Sequence, residues 1–211
     1  MYKLQVIIGS TRDGRNADAV CRWFLPVARS HAAFQLEVLD LRDWPLPMFQ
    51  ETIASVGDFA NPTYSDPLVK RWNEKIGEAD AYIIVTPEYN RTIPAVLKNA
   101  IDTVFFSYRF RHKPVAFVSY SLGQTAGVCA VQHLNQIMIE TEAVPVRTPT
   151  LIPLVGSAFD AEGKPSNPGL GVSLSVMLDD LAWLTKALAT ARAEGEPPPA
   201  ALRLRSASPR R

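Results

Sequence analysis

The feature that most constrains this chain is a repeated alternation between short apolar segments and segments with helical periodicity. Residues 81–86 (AYIIVT) are apolar almost throughout, as expected for a strand that is buried on both faces of a parallel sheet. Helices are predicted between the strands, because apolar residues there recur with the spacing of one helix face. Pro26 should kink or shorten the first helix, and Thr92 should cap the helix that follows the third strand. The other strands are predicted at 3–8, 35–41, 114–119 and 144–154.

Five strand–helix units in this order predict an α/β fold. We expect a doubly wound, five-stranded parallel sheet with helices on both faces, because crossovers between parallel strands are right-handed. With five strands, the flavodoxin-like order 2-1-3-4-5 is expected, and its ligand crevice lies at the carboxyl ends of strands 1 and 3. Loops 9–16 and 87–91 should therefore meet there, although they are far apart in sequence.

The first of these loops has the features of an anion-binding turn. It follows a strand and opens a helix, whose amino-terminal N–H groups and dipole favour a negative charge. It lacks the glycine patterns of dinucleotide and triphosphate sites, so a monophosphate is the better ligand. The alternative is an ordinary capped turn with two solvated arginines. The candidate phosphate ligands are Ser10, Thr11, Arg12, Arg15 and Asn16.

The second loop follows the most apolar strand. A strand end that turns sharply exposes backbone N–H and C=O groups, which can pair with a planar heterocycle, and Tyr89 could stack on such a ring. The alternative is a surface turn in which Pro87 and Asn90 serve only the backbone geometry. The candidate ring-binding residues are Pro87, Glu88, Tyr89, Asn90 and Arg91.

Four sequence blocks carry a family resemblance. They are 9–12 (GSTR), 86–90 (TPEYN), 93–94 (IP) and 97–102 (LKNAID). In order and spacing, these blocks resemble the NADPH-dependent FMN reductase family, and the likeness extends over roughly residues 3–190. This group of flavodoxin-like proteins includes azo-dye, quinone and chromate reductases.

The resemblance implies a site for non-covalently bound FMN. The FMN phosphate would lie on Ser10, Arg12, Arg15 and nearby amides, and the ring edge would lie against the backbone of 87–91. Ser119 and Ser121, which flank the loop after strand 4, would lie near the flavin. NADPH or NADH would pass a hydride to flavin N5, and two electrons would then go to a small acceptor in a ping-pong reaction. The acceptor would be a quinone, an azo compound, a metal oxyanion or free flavin.

No side chain is expected to act as a catalytic residue, because the flavin supplies the chemistry. The resemblance also implies a homodimer or homotetramer in which a partner subunit completes the cleft. The alternative function is an FMN-binding electron-transfer or flavin-storage protein with little nicotinamide turnover.

Composition narrows the other function classes. The formal net charge is +1, which argues against nucleic-acid or membrane-surface binding by bulk electrostatics. No apolar run reaches the length of a membrane span, and the amino terminus lacks a signal-peptide pattern. Cys21 and Cys129 fit a reducing cytoplasm. No metal site is expected, because the cysteines and histidines share no ligand spacing.

The carboxyl-terminal end differs in composition from the rest of the chain. Residues 194–211 contain three consecutive prolines and several arginines, and they offer little to bury. We therefore predict one FMN-binding domain over residues 1–193 and a disordered Pro/Arg-rich tail over 194–211. The basic run at 109–113 is either a solvated loop or a site for the adenosine 2′-phosphate of NADPH.

Overall fold

A central parallel sheet organises the molecule. The computed structural model describes residues 1–59 and 61–207. The strand order is β2-β1-β3-β4-β5, and β6 also pairs with β4, all in parallel. This confirms the predicted fold class and order. The strands are β1 (Tyr2–Ile8), β2 (Phe34–Asp40), β3 (Ala81–Pro87), β4 (Pro114–Tyr120), β5 (Val144–Pro145) and β6 (Thr150–Ile152).

Helices cover both faces of this sheet. The helices are α1 (Ala17–Ser30), α2 (Ile53–Val56), α3 (Pro67–Gly77), α4 (Ala95–Asp102), α5 (Val128–Glu140), α6 (Gly169–Glu194) and α7 (Ala200–Ala207). Buried residues of α1 and α6 form one core, and those of α3, α4 and α5 form the other. Strand β3 contributes to both cores, since Ile83 lies in the first and Ile84 in the second. Continuous burial therefore explains its unbroken apolar sequence.

The fifth sheet position differs from the single predicted strand at 144–154. Two short segments, β5 and β6, occupy it and pair with opposite ends of β4. Pro145 and Pro149 cannot donate to a strand ladder, so a continuous strand would lose hydrogen bonds here.

One of the two expected effects of Pro26 and the predicted cap at Thr92 are wrong. Helix α1 continues across Pro26 to Ser30, so it is not shortened there, and a kink at Pro26 stays a prediction. Thr92 does not cap α4, since Pro94 takes the N-cap position. Thr92 instead exchanges backbone hydrogen bonds of 2.8 and 3.0 Å with Tyr89. This bridge closes the loop after β3 on itself.

The carboxyl-terminal end is described as far as residue 207. Helix α6 ends at Glu194, next to the predicted domain boundary, and α7 lies within the predicted tail. Glu196 contacts His112, and the carbonyl of Pro197 accepts a hydrogen bond from Arg111. Residues 208–211 of the predicted tail lie outside the described residues. The division of the chain at residue 193 stays a prediction.

Gly127 gives a test of how the loop after β4 joins α5. Its φ is +85°, and an added Cβ would lie 2.1 Å from Ser119 Oγ. Gly127→Ala should therefore lower the free energy of unfolding by about 2–5 kcal/mol, through left-handed strain and overpacking. Urea denaturation monitored by fluorescence measures the change.

The matched control is Gly123→Ala in the same loop. An added Cβ there meets no atom within 4 Å. This variant should change the free energy of unfolding by no more than about 0.5 kcal/mol. Equal losses in the two variants would contradict the steric explanation.

Candidate functional site

A cavity of about 350 Å³ lies where the loops after β1, β3 and β4 converge. This is the carboxyl edge of the sheet, as predicted for the ligand crevice. The predicted site residues that line it are Arg12, Arg15, Asn16, Pro87, Glu88, Tyr89 and Ser121. Sequence analysis missed Asp13, Gly14, Tyr120, Leu122 and Val155, which also line it. Tyr120 and Leu122 flank predicted residues, whereas the Val155 segment carries no recognisable motif.

The first and second loops are held together at the ends of β1 and β3. The amide of Gly9 donates to the carbonyl of Val85 at 2.8 Å. The hydroxyl oxygens of Ser10 and Tyr89 lie 3.0 Å apart. A Cβ on Gly9 would lie 2.7 Å from Leu97 Cδ2, so glycine is required for this close approach. Two loops that are distant in sequence thus form one wall.

Arg12 presents a positive charge at this cavity. Its guanidinium carbon lies 3.6 Å from the centre of the Tyr89 ring, in the range of a cation–π contact. The carbonyl of Arg12 accepts a hydrogen bond from Arg42. Within residues 1–59 and 61–207, Arg12 has no ion-pair partner. Its charge is therefore available to an anionic ligand.

Arg15 differs from Arg12 because its guanidinium is buried and already paired. It forms a two-point ion pair with Asp40, one hydrogen bond being 2.7 Å long, and it lies 2.8 Å from Asp18. It also donates to the carbonyl of Ser10. Burial alone would raise the pKa of Asp40, but the hydrogen bonds from Arg15 and from the Arg42 amide, together with the charges of both arginines, hold that pKa below its usual value. Arg15 thus ties the loop to the end of β2.

Two helices, α1 and α5, have their amino termini at this edge, and these differ in their side-chain hydrogen bonds. Asn16 is the N-cap residue of α1, but its side chain makes no capping hydrogen bond. At α5, by contrast, the Glu88 carboxylate accepts a hydrogen bond of 3.1 Å from the amide of Cys129. A carboxylate there stabilises the positive end of the helix dipole. The amino terminus of α1 is left without a side-chain acceptor.

The remaining predicted residues have other surroundings. Thr11, Asn90 and Arg91 are exposed and are not among the lining residues. Asn90 and Arg91 have φ values of +49° and +65° and form the turn itself. Ser119 is buried, and its hydroxyl donates to the carbonyls of Thr86 and Gly127.

Ser119 therefore fixes the loop after β4, which is the third loop of the site, from its buried side. Ser121 instead lies at the cavity. The Ser121 hydroxyl donates to the carbonyl of Gly123 at 2.9 Å.

The donors at the cavity suit an anionic ligand that also carries hydrogen-bonding groups. The hydroxyl of Tyr120 is buried and has no hydrogen-bond partner among the described residues. Burial raises the pKa of Tyr120, so its hydroxyl keeps its proton at neutral pH. Together with Arg12 and the amino terminus of α1, it fits a phosphate-bearing aromatic ligand such as FMN.

Within residues 1–59 and 61–207, no group of three or more His, Cys, Asp or Glu residues is arranged to hold a metal ion. None of the helices in those ranges has the length and apolar character to cross a membrane.

Comparison with known proteins identifies the family of the chain. Residues 2–153 match the family model described as NADPH-dependent FMN reductase. An NAD(P)H-dependent FMN reductase of Schizosaccharomyces pombe is 36% identical over 130 residues, which are 62% of this chain and 62% of that protein. The chain thus spans less than two thirds of that relative's length. A quinone reductase of Pseudomonas putida is 32% identical over 168 residues, covering 78% of this chain and 84% of the relative.

A solved structure supports the fold. FerB, a flavoenzyme NAD(P)H:(acceptor) oxidoreductase from Paracoccus denitrificans, has a TM-score of 0.72 at 21% identity, and the likeness covers 89% of this chain and 98% of FerB. At that identity the likeness shows the fold alone. The family match extends from β1 through β6 and includes all three loops at the cavity. The chain therefore belongs to the NADPH-dependent FMN reductase family, as its motifs predicted.

Proposed function

We propose that this chain passes a hydride from NAD(P)H to bound FMN and then two electrons to a small acceptor. Quinones, azo compounds, metal oxyanions and free flavin are the acceptors we consider. The observation that carries the proposal is the cavity itself. It places the unpaired charge of Arg12 and the amino terminus of α1 beside the backbone of 87–89.

The phosphate end of FMN is assigned to the first loop. Arg12 would pair with the phosphate oxygens, because a guanidinium offers parallel donors to such a group. The amides at the start of α1 would add donors. Arg15 acts by holding the Ser10 carbonyl and Asp40, so we propose it as a positioning residue rather than a phosphate ligand.

The ring end of FMN is assigned to the second and third loops. The backbone of 87–89 would face the edge of the ring, and the Tyr120 hydroxyl would meet a polar atom of the ligand. Leu122 and Val155 add apolar surface to this side of the cavity. A bound ring that covered this surface would exclude water, which strengthens each polar contact inside the site. We assign no catalytic role to a side chain.

When bound, FMN would supply the two-electron redox chemistry, which no side chain of the protein provides. The protein's part is to bind the cofactor, orient it and leave one side open to the nicotinamide and acceptor in turn. We also propose a cytoplasmic location, which the two unpaired cysteines, Cys21 and Cys129, support.

Steady-state kinetics test the function directly. FMN-loaded protein should oxidise NADPH or NADH in the presence of a quinone, with the parallel double-reciprocal lines of a ping-pong reaction. A single round of flavin reduction without turnover would instead favour the electron-transfer or storage alternative. Failure of the apoprotein to bind FMN would contradict both.

Removing the charge of Arg12 tests the phosphate assignment. Hydrogen bonds to charged groups contribute about 1.5–3 kcal/mol, so Arg12→Ala should raise the Kd for FMN roughly 10- to 150-fold. Riboflavin lacks the phosphate, and its Kd should change little. Fluorescence titration of the apoprotein with both flavins measures the two constants.

Arg29→Ala is the matched control, because Arg29 is exposed and lies in the last turn of α1, the helix that follows the first loop. It should leave both Kd values unchanged. Equal weakening of FMN and riboflavin by Arg12→Ala would show that Arg12 supports the loop rather than the phosphate.

A homodimer or homotetramer is proposed to complete the cleft. Met48 and Ile53 are exposed after β2, and Met48 lines a cavity together with the Phe49 and Phe106 rings. Such an apolar surface favours association. Multi-angle light scattering should report at least a dimer at micromolar protein. A fully active monomer would overturn the proposal.

A further inference from the structure

A second cavity, of about 590 Å³, lies at the opposite edge of the sheet. Lys113, which immediately precedes β4, lines it, whereas Tyr120 at the far end of β4 lines the first cavity. The seven residues of β4 separate these edges by roughly 20 Å. Four basic side chains line the second cavity: Arg109, Arg111, Lys113 and Arg192.

Two of these basic groups are neutralised by carboxylates. Arg111 Nε lies 2.6 Å from Glu142, and another of its nitrogens lies 3.8 Å from Glu196. Arg192 lies 3.2 Å from Asp80. These ion pairs explain why both arginines can be partly buried.

The other two basic groups have no ion-pair partner within the described ranges. Arg109 is exposed and forms no salt bridge there. The Lys113 ammonium donates only to neutral acceptors, the Gly77 carbonyl at 3.0 Å and the Tyr82 hydroxyl at 3.3 Å. The bond to Gly77 gives Lys113 a structural role at the carboxyl end of α3. This structural role accounts for the charge of Lys113 but not for that of Arg109.

The basic groups also act on one another. Burial, followed by repulsion from Arg192 and Arg109, lowers the pKa of Lys113 to about 8, although Asp80 and Glu196 oppose the shift. A cluster of cations that repel each other in a cavity gains stability when an anion binds among them.

We propose that this cavity binds the phosphate group of a small phosphorylated metabolite. Arginine forks pair with phosphate oxygens at two points, and Arg109 has donors to offer. The volume lies in the range of small-molecule sites. Tyr108 and Pro198 line the same cavity and provide apolar surface for the rest of such a molecule.

The carboxyl-terminal segment forms one wall of this site. Glu196 lies 2.7 Å from the His112 ring, and Pro198, Pro199 and Leu202 line the cavity. A phosphate that reaches Arg111 competes there with the Glu196 carboxylate. The site does not depend on the proposed function, because it shares no lining residue with the first cavity.

Isothermal titration calorimetry tests the inference. The full-length protein is titrated with AMP and with inorganic phosphate in chloride buffer, with saturating FMN present so that the first cavity is filled. AMP should bind saturably at one site per chain. Arg109→Ala should weaken AMP binding about 10-fold or more, and Arg109→Lys should restore part of the loss.

Arg22→Ala serves as the matched control, since it removes the same charge from an exposed position on α1. It should leave AMP binding unchanged. Absence of saturable binding, or equal weakening by Arg22→Ala, would overturn the proposal. Weakening by Arg12→Ala but not by Arg109→Ala would place AMP in the first cavity and also overturn it. Binding of inorganic phosphate without AMP would exclude a phosphate ester as the ligand.

Discussion

Ile8, the last residue of β1, pairs with Val85 near the end of β3, and the contacts between the first two loops depend on that register. Because the strands are parallel and adjacent, both chains leave the sheet at the same edge and turn toward each other. The hydrogen bond from Gly9 to Val85 and the meeting of Ser10 with Tyr89 follow directly. A slip of one residue would turn the side chains of β1 to the wrong faces and separate the loops.

Two arginines in one loop have different roles because their surroundings differ. Arg12 is exposed against an aromatic ring, whereas Arg15 lies beneath the loop in a network with Asp40 and Asp18. The buried pair fixes the backbone from which Arg12 projects. The resemblance alone treats the two residues alike, since the main partner of Arg15 is a residue on another strand.

The elements that are best predicted from sequence are those with a continuous local hydrophobic pattern. Strand β3 is predicted to within one residue because burial on both faces leaves an unbroken apolar run. The two-part fifth strand is not predicted, since it depends on where β4 offers partners to the segments around Pro145.

The same limit applies to the two cavities. The orientation of Ser119 away from the first cavity depends on Gly127, which lies at the end of the following loop. Lys113 and Arg192 are far apart in the chain, so no local pattern joins them in one site.

The Glu88 carboxylate at the start of α5 has a consequence for ligand polarity. It offsets the positive end of that helix, whereas at α1 the first-turn carboxylate of Asp18 is already paired with Arg15 and the Asn16 side chain makes no capping hydrogen bond. The electrostatic potential of the cavity between them is therefore asymmetric: it attracts anions beside α1 but not beside α5. A ligand with one charged end and one neutral end is oriented by this asymmetry before any shape matching begins, and its reversed pose is penalised.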